Sequence, residues 1–263
     1  MRQLLYRART LLGVNYSLMT EYRAEVCLWV LAGIMPFIMM GVWMQASQDG
    51  SFGLNAVDFA RYFLVTFIVR QLTVIWVIWE FEYQVVEGKL SPFLLQPMDP
   101  AWRFLAAHLG EQLARLPFWV LLVGLFFYLY PQAWWVPSGY GVMLFIPALL
   151  LTYILRFLIQ YTLAMLCFWL ERASAVETLW FMPYMFLSGM AVPLSLFPEA
   201  VRTVVMWTPF PYMVYVPVQM LLNPGQVNVP LSFAVMGLWI VGFWLLNRWL
   251  WRLGLRQYSG MGG

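Results

Sequence analysis

At 263 residues, the chain is 63% hydrophobic and 19% aromatic, and only 10% of it is charged. Soluble domains run at roughly 45–50% apolar and about 25% charged, so the composition excludes a water-soluble globular domain and points to a polytopic membrane protein. The net charge of +3 says little about nucleic acid, which is not an expected partner; where the charges sit matters more.

In chain order, residues 1–22 read as a helix lying on the membrane surface. Leu4, Leu5, Ala8, Leu11, Leu12, Tyr16 and Met19 recur at helical spacing, with Arg2, Arg7 and Arg9 mostly between them. An apolar stripe edged with cations suits the lipid headgroup layer; a frayed tail is the alternative. A secretory signal is not expected, because the first apolar run starts late, is long and lacks a small-x-small cleavage site. That run, about 25–45, is the first span: about 20 residues at 1.5 Å each cross a hydrocarbon core of about 30 Å. Pro36 is expected to kink it. Cys27 here and Cys167 further on sit in apolar runs as small hydrophobes, with no redox information.

A polar loop, QASQDGSFGLNAVD, precedes a second span at about 59–80. The third, about 113–131, is entered past Arg115 and Pro117 and closed by Tyr130-Pro131. The uncharged linker PQAWWVPSG fits a turn at the aromatic belt. A fourth span at about 140–169 stops at Glu171-Arg172, and Glu177 opens a fifth at about 175–195. Residues 195–230 are apolar but carry Pro198, Pro209, Pro211, Pro217 and Pro224. Proline removes a donor and breaks helices, so two short helices that enter the bilayer and return are expected. The sixth span, about 231–250, leads to Arg248, Arg252 and Arg256.

With both ends in the cytoplasm, Arg2, Arg7, Arg9, Arg23, Lys89, Arg103, Arg115, Arg172, Arg248, Arg252 and Arg256 are all inside, and Arg61 and Arg202 face out. The positive-inside rule therefore selects that orientation. No internal repeat is visible, which gives an inverted-repeat carrier no support.

The second and third spans enclose the stretch that concentrates charge, Glu80 to Leu113, with Glu80, Glu82, Glu87, Lys89, Asp99, Arg103, His108 and Glu111. Within it, Val85 to Leu95 predicts a short helix with Val86, Leu90, Phe93 and Leu94 on one side and Glu87 and Lys89 beside them. Gly88 permits a close turn, Pro92 stiffens the segment, and Pro97 with Pro100 ends it. Such a stub suits docking into a groove on another protein; a plain interfacial connector is the alternative.

The order of these parts resembles the permease subunit of ABC-2 type exporters, in particular a poorly characterised permease branch. The segment Glu87-Gly88-Lys89-Leu90-Ser91-Pro92-Phe93-Leu94-Leu95-Gln96-Pro97 is similar to that family's E-G-x-L-S-x-x-L-x-x-P loop. Ser188-Gly189-Met190-Ala191-Val192-Pro193-Leu194, then Phe197-Pro198 and Thr208-Pro209-Phe210, resemble its fifth span and hairpin. The resemblance implies an all-α fold of one transmembrane domain over 1–263. It would have a surface helix (1–22), six spans, a cytoplasmic coupling loop (81–112) and an external re-entrant hairpin (195–230). It implies that Glu87, Gly88, Lys89, Leu90, Pro92, Phe93, Leu94 and Pro97 contact a separate ATPase dimer, which holds the ATP and Mg. It also implies a second permease subunit, a different chain or a copy, in the bacterial inner membrane. This chain itself is expected to bind no cofactor or metal: Gly88-Lys89 is followed by Leu90 and lacks the earlier glycine of a phosphate-cradling loop.

Two arginines fall inside predicted spans. Arg70 lies nine residues from Arg61, or about 14 Å, and Arg156 lies fifteen from Glu171, or about 22 Å. Each is costly there unless paired or wet. They either line a translocation path for an anionic group or pair structurally with Glu80, Glu177, Gln160 or carbonyls. Trp76, Trp79, Trp169, Trp180, Tyr184 and Phe186 suit belt anchoring, and a few of them a cation–π pocket for a drug-like solute. His108 stands alone, so neither zinc binding nor base catalysis is expected of it. The expected function is export of a lipid-like, glycan or amphipathic solute, driven by ATP on a partner. A membrane-embedded transferase and a non-transporting scaffold are the alternatives.

Overall fold

The structure, a computed structural model, describes residues 2–47, 53–170 and 172–258, and side chains from residue 10 onward. All regular elements among them are helical. Five stretches are long and apolar enough to cross a membrane: Arg23–Ala46, Ala56–Val86, Pro100–Leu129, Gly139–Phe168 and Val229–Gln257.

Helix α1 (Arg2–Glu21) packs along α7 (Pro100–Leu129). The approach is close: a Cβ on Gly110 of α7 would lie 2.9 Å from the Asn15 Cβ. Leu11, Leu12 and Met19 of the expected stripe are half-buried, whereas Tyr16 is exposed. The side chains of Arg2, Leu4, Leu5, Arg7, Ala8 and Arg9 lie outside the described residues.

The first span is two helices, α2 (Arg23–Ala32) and α3 (Met35–Ala46), separated at Gly33-Ile34. Pro36 sits in the first turn of α3, where its missing N–H costs nothing; the break falls just before it, where a proline ends the preceding helix, as expected. Gln71 reaches across and its Nε2 donates to the Val30 carbonyl at 3.2 Å. A side chain on Gly33 would collide with that amide, 2.5 Å away.

The second span also breaks, contrary to the expected continuous 59–80. Helix α4 (Ala56–Thr73) begins in a capping box between Asn55 and Asp58, and α5 (Val77–Val86) resumes after residues 74–76. Backbone groups freed in a span need partners, and α7 supplies them. The Trp76 N–H donates to His108 Nε2 at 2.8 Å, and Gln112 Nε2 donates to the Val74 carbonyl at 2.9 Å. Because His108 Nε2 accepts, its proton sits on Nδ1 and points to the Phe104 carbonyl, 2.7 Å away. The lone histidine is a backbone suture. Of the polar loop before α4, residues 48–52 lie outside the described residues, as does Glu171 after the fourth span.

Past the short helix α6 (Ser91–Leu94), α7 runs into the third span with Pro117 inside it. Arg115, at the entry of this span, is 2% exposed and ion-paired with Glu111 one turn before it. The fourth span is α8 (Gly139–Ala164), prolonged by a 3-10 turn to Phe168.

Helix α9 (Ser174–Leu187), expected as the fifth span over 175–195, has 14 residues. That is about 21 Å, short of an apolar core of about 30 Å. It ends before Gly189, whose φ of +89° suits only glycine comfortably. The proline-rich stretch contains two short helices, α10 (Glu199–Val205) and α11 (Tyr215–Leu222), as the proline spacing predicts. Side chains from neighbouring helices satisfy its irregular backbone. Tyr62 donates to the Gly189 carbonyl (2.7 Å), Trp43 to Ala191 (2.8 Å) and Thr152 to Tyr212 (2.8 Å). The last helix, α12 (Val229–Gln257), lies along α8.

Candidate functional site

Two regions answer to the sequence-predicted residues: the stub at 87–99, and a cleft holding Arg70 and Arg156.

The stub begins where α5 stops. Gly88 has φ +69°, and the turn is closed by Gly88 N–H to the Val85 carbonyl (3.2 Å) and Leu90 N–H to the Gln84 carbonyl (2.9 Å). This is how a left-handed glycine ends a helix. Leu90 then turns inward. It is 0% exposed, within a cluster that includes Phe81, Phe104, Tyr161 and Phe168. The predicted stripe therefore splits: Leu90 is an anchor, while Val86 is 54% exposed. Phe93 lies under the Arg103 guanidinium, 3.7 Å from ring centre to the charge. Ser91 Oγ and the Tyr258 hydroxyl are 3.0 Å apart, and Asp99, which caps α7 through Ala101 N–H, also pairs with Arg248 of α12 at 2.8 Å.

Against this inner fixing, the outer side is open. Glu87, Lys89, Pro92, Leu95 and Pro97 are exposed and Leu94 half-exposed. Lys89 donates to the Tyr83 hydroxyl and lies 3.8 Å from Glu87. The Tyr83 contact first, and then the Glu87 charge, raise the lysine above its ordinary value. The stub proper is shorter than the stretch that predicted it, because Glu80, Glu82, His108 and Glu111 all lie on helices.

One of these, Glu82, holds something that sequence reasoning missed. Helix α9 has no local side-chain cap. Glu82 supplies one from α5, accepting from Ser174 N–H at 2.7 Å and from Ser174 Oγ at 3.1 Å. The two residues are 92 positions apart, and no local signal joins them.

The cleft is a space of about 60 Å³, room for a few waters. Arg70 of α4, Trp76 of the break, Arg156 and Gln160 of α8, and Glu177 and Tyr184 of α9 line it. Arg156 Nη1 donates to the Tyr184 hydroxyl at 2.7 Å. Gln160 Nε2 donates to Glu177 Oε1 at 2.8 Å, so the carboxylate expected as an arginine partner is held by an amide instead. Neither Arg70 nor Arg156 forms an ion pair among the described residues. Trp79, Trp169 and Phe186 are exposed, as belt residues are.

Broken helices wall the cleft that holds Arg70 and Arg156, and the stub joins the second and third spans. The family described as ABC-2 family transporter protein matches residues 29–262. The chain belongs to that family. No curated protein matches it. As an ABC-2 family member it is a multi-pass membrane protein and a permease component of an ABC transporter. The matched residues take in the stub, the cleft, the second broken span and the first from residue 29 onward.

Proposed function

We propose that the chain is the permease subunit of an ATP-driven exporter that moves an amphipathic, lipid-like or glycan solute outward. In this reading, residues 87–97 dock on a separate ATPase dimer, and a second permease subunit completes the pathway. Both termini lie in the cytoplasm of a bacterial inner-membrane protein. The observation that carries the reading is the contrast across the stub. Leu90 is 0% exposed and Leu95 is 88% exposed, so an apolar contact is offered outward by a segment anchored on its inner side. A merely connecting turn has no need of both.

Force on the stub has two physical routes inward. One is the Leu90 cluster and the Asp99–Arg248 pair, which move α12 with it. The other is Glu82, which grips the start of α9 and so reaches Glu177 and Tyr184 in the cleft. Packed interfaces with two arrangements are how such a push becomes a switch between inward- and outward-open states. In the same reading α9, with the segment that follows it, forms the fifth of six membrane passages, and α10 and α11 are the re-entrant part. Arg70 and Arg156 line the path for an anionic group.

The transferase alternative would call on the single histidine, and both its ring nitrogens are occupied with backbone. The test is site-specific crosslinking. A Leu95→Cys chain, expressed with its genomic partners, should crosslink to an ATPase polypeptide, and Leu95→Asp should lower transport per ATP hydrolysed. If the Leu95→Cys chain captures no nucleotide-hydrolysing protein and Leu95→Asp leaves turnover and transport unchanged, the docking assignment is wrong.

A further inference from the structure

At the end of α8 away from the stub, two cavities flank the same four side chains. The larger, about 480 Å³, lies between α10, α11 and the start of α12. The smaller, about 340 Å³, lies between α4, α11 and the turn at Trp135. Ser195, Tyr215, Gln219 and Gln226 border both. Phe168, at one end of the fourth span, packs in the Leu90 cluster. Gly141, at the other end, meets α11, where a Cβ would lie 2.9 Å from the Leu221 carbonyl oxygen. The two ends are about 40 Å apart at helical rise. Both spaces fall in the size range of small-molecule sites, about 300–1,000 Å³. Hydrogen bonds fix the walls of the larger one. The Tyr212 hydroxyl donates to the Met206 carbonyl at 2.8 Å, Asn228 Oδ1 accepts from Leu231 N–H at 3.2 Å, and Trp239 Nε1 donates to the Trp207 carbonyl at 3.0 Å.

The side chains left uncommitted around these spaces define the ligand. Ser195, Tyr215 and Gln226 make no side-chain hydrogen bond among the described residues, and Gln219 uses only its oxygen, on Asn223. Hydroxyls and amides both donate and accept, so they suit a partner whose groups do the same, as alcohols do. Each cavity also has an indole on its border, Trp135 in the smaller and Trp207, 58% exposed, in the larger. An aromatic face beside a hydroxyl-binding wall fits a sugar ring, which is apolar on its C–H face and hydroxylated at its edge. Arg202 is the only charged side chain bordering the larger cavity. It forms no ion pair or hydrogen bond among the described residues, and a guanidinium matches a carboxylate with two parallel N–H bonds. We infer that the larger cavity takes a sugar residue bearing one acidic group, and the smaller the next sugar attached to it. The acid meets Arg202, the ring lies against Trp207, and hydroxyls meet Ser195 and Gln226. This deepens the proposed export reading and rests on it for the site's role: with the stub inside, these cavities lie on the side where solute leaves.

Binding is measured without ATP or transport, so it fails independently of the docking assignment. The full chain, purified in mild detergent with its co-purifying partners, is dialysed against digalacturonate or the neutral disaccharide cellobiose. Digalacturonate should bind about tenfold more tightly, the difference expected for charge-assisted hydrogen bonds. Arg202→Gln should remove that preference and leave cellobiose binding unchanged. Gln226→Ala, at an exposed position, and Trp207→Ala should each weaken both sugars about threefold. Vesicles containing glucuronosyl diacylglycerol or phosphatidylglycerol separate the sources. Retention of the glycolipid alone, with no binding of the soluble disaccharides, identifies a lipid-linked sugar; binding of free digalacturonate identifies a soluble one as sufficient. Retention of phosphatidylglycerol equal to that of the glycolipid would overturn the sugar assignment, because an acid alone would then suffice. Disaccharide binding unchanged in Arg202→Gln and Gln226→Ala, or no binding of any sugar, would overturn it too. In intact cells, Gln226→Cys should react with a membrane-impermeant maleimide beyond the parent chain, and digalacturonate should protect it. Reaction only in inverted vesicles would overturn the exit-side placement and the orientation with it, while the binding result stands by itself.

Discussion

The stub at 87–99 and the cleft about Arg70 treat polar groups in opposite ways. In the stub, the turn carbonyls are closed by Gly88 and Leu90, Asp99 both caps a helix and pairs with Arg248, and Leu90 is packed beneath. In the cleft, arginine, tryptophan, glutamine and glutamate each bury an atom with no partner. In the proposed reading the stub passes on motion, for which an over-determined backbone is suited, and the cleft lies on the path, where strain and unmet polar groups tend to collect.

This contrast can be broken by weakening the stub's anchors. The largest effect is expected from Leu90→Ala, which removes a fully buried side chain and should cost about 2–5 kcal/mol. Leu95→Ala, at 88% exposure, should stay within about 0.5 kcal/mol. Thermal unfolding of the two variants in the same detergent measures the difference, and similar losses would refute the anchor-and-face division. Next is Gly254→Ala. Its Cβ would fall 2.1 Å from Phe168 Cδ2, so α12 must withdraw from the base of the stub at a cost of about 1–3 kcal/mol. An unchanged melting temperature would mean that Phe168 turns aside freely.

Glu82→Ala should lose a helix cap, about 1 kcal/mol. Because Ser174 shares the same contact, Glu82→Ala and Ser174→Ala should be non-additive in a double-mutant cycle. Additive losses would show that α5 does not hold α9 through this pair. The smallest effect belongs to Asp99→Asn. Arg248 is 48% exposed, so the pair is worth about 0.2–1 kcal/mol and should fade as salt is raised. Asparagine keeps an oxygen for the Ala101 N–H, so a loss that persists at high salt would refute the assignment to the ion pair.

What could be foreseen and what could not divides along physical lines. Alternating long apolar runs and proline clusters identify an all-helical membrane chain, because backbone in lipid has few alternatives. The prolines of 195–230 announced short helices, and short helices are found. Arg70 and Arg156 stood out because charge inside an apolar run is costly wherever it goes. That both reach one cleft was not legible, since α4 and α8 are brought together only by packing.

The breaks in the first two spans were hidden for a related reason. Residues 74–76 are Val, Ile and Trp, with no glycine or proline to mark a stop. The helix ends there because His108 and Gln112 of another span offer its backbone equal partners. The 14-residue length of α9 was equally obscured, since the apolar run continues past Leu187 while the backbone turns at Gly189. Sequence alone determined class, family, the charged stub and the unusual arginines, all consequences of composition or short-range order. Tertiary structure alone decided which polar atoms find partners, because a hydrogen bond between Glu82 and Ser174, or its lack at Arg70, depends on distances that only the packed helices set.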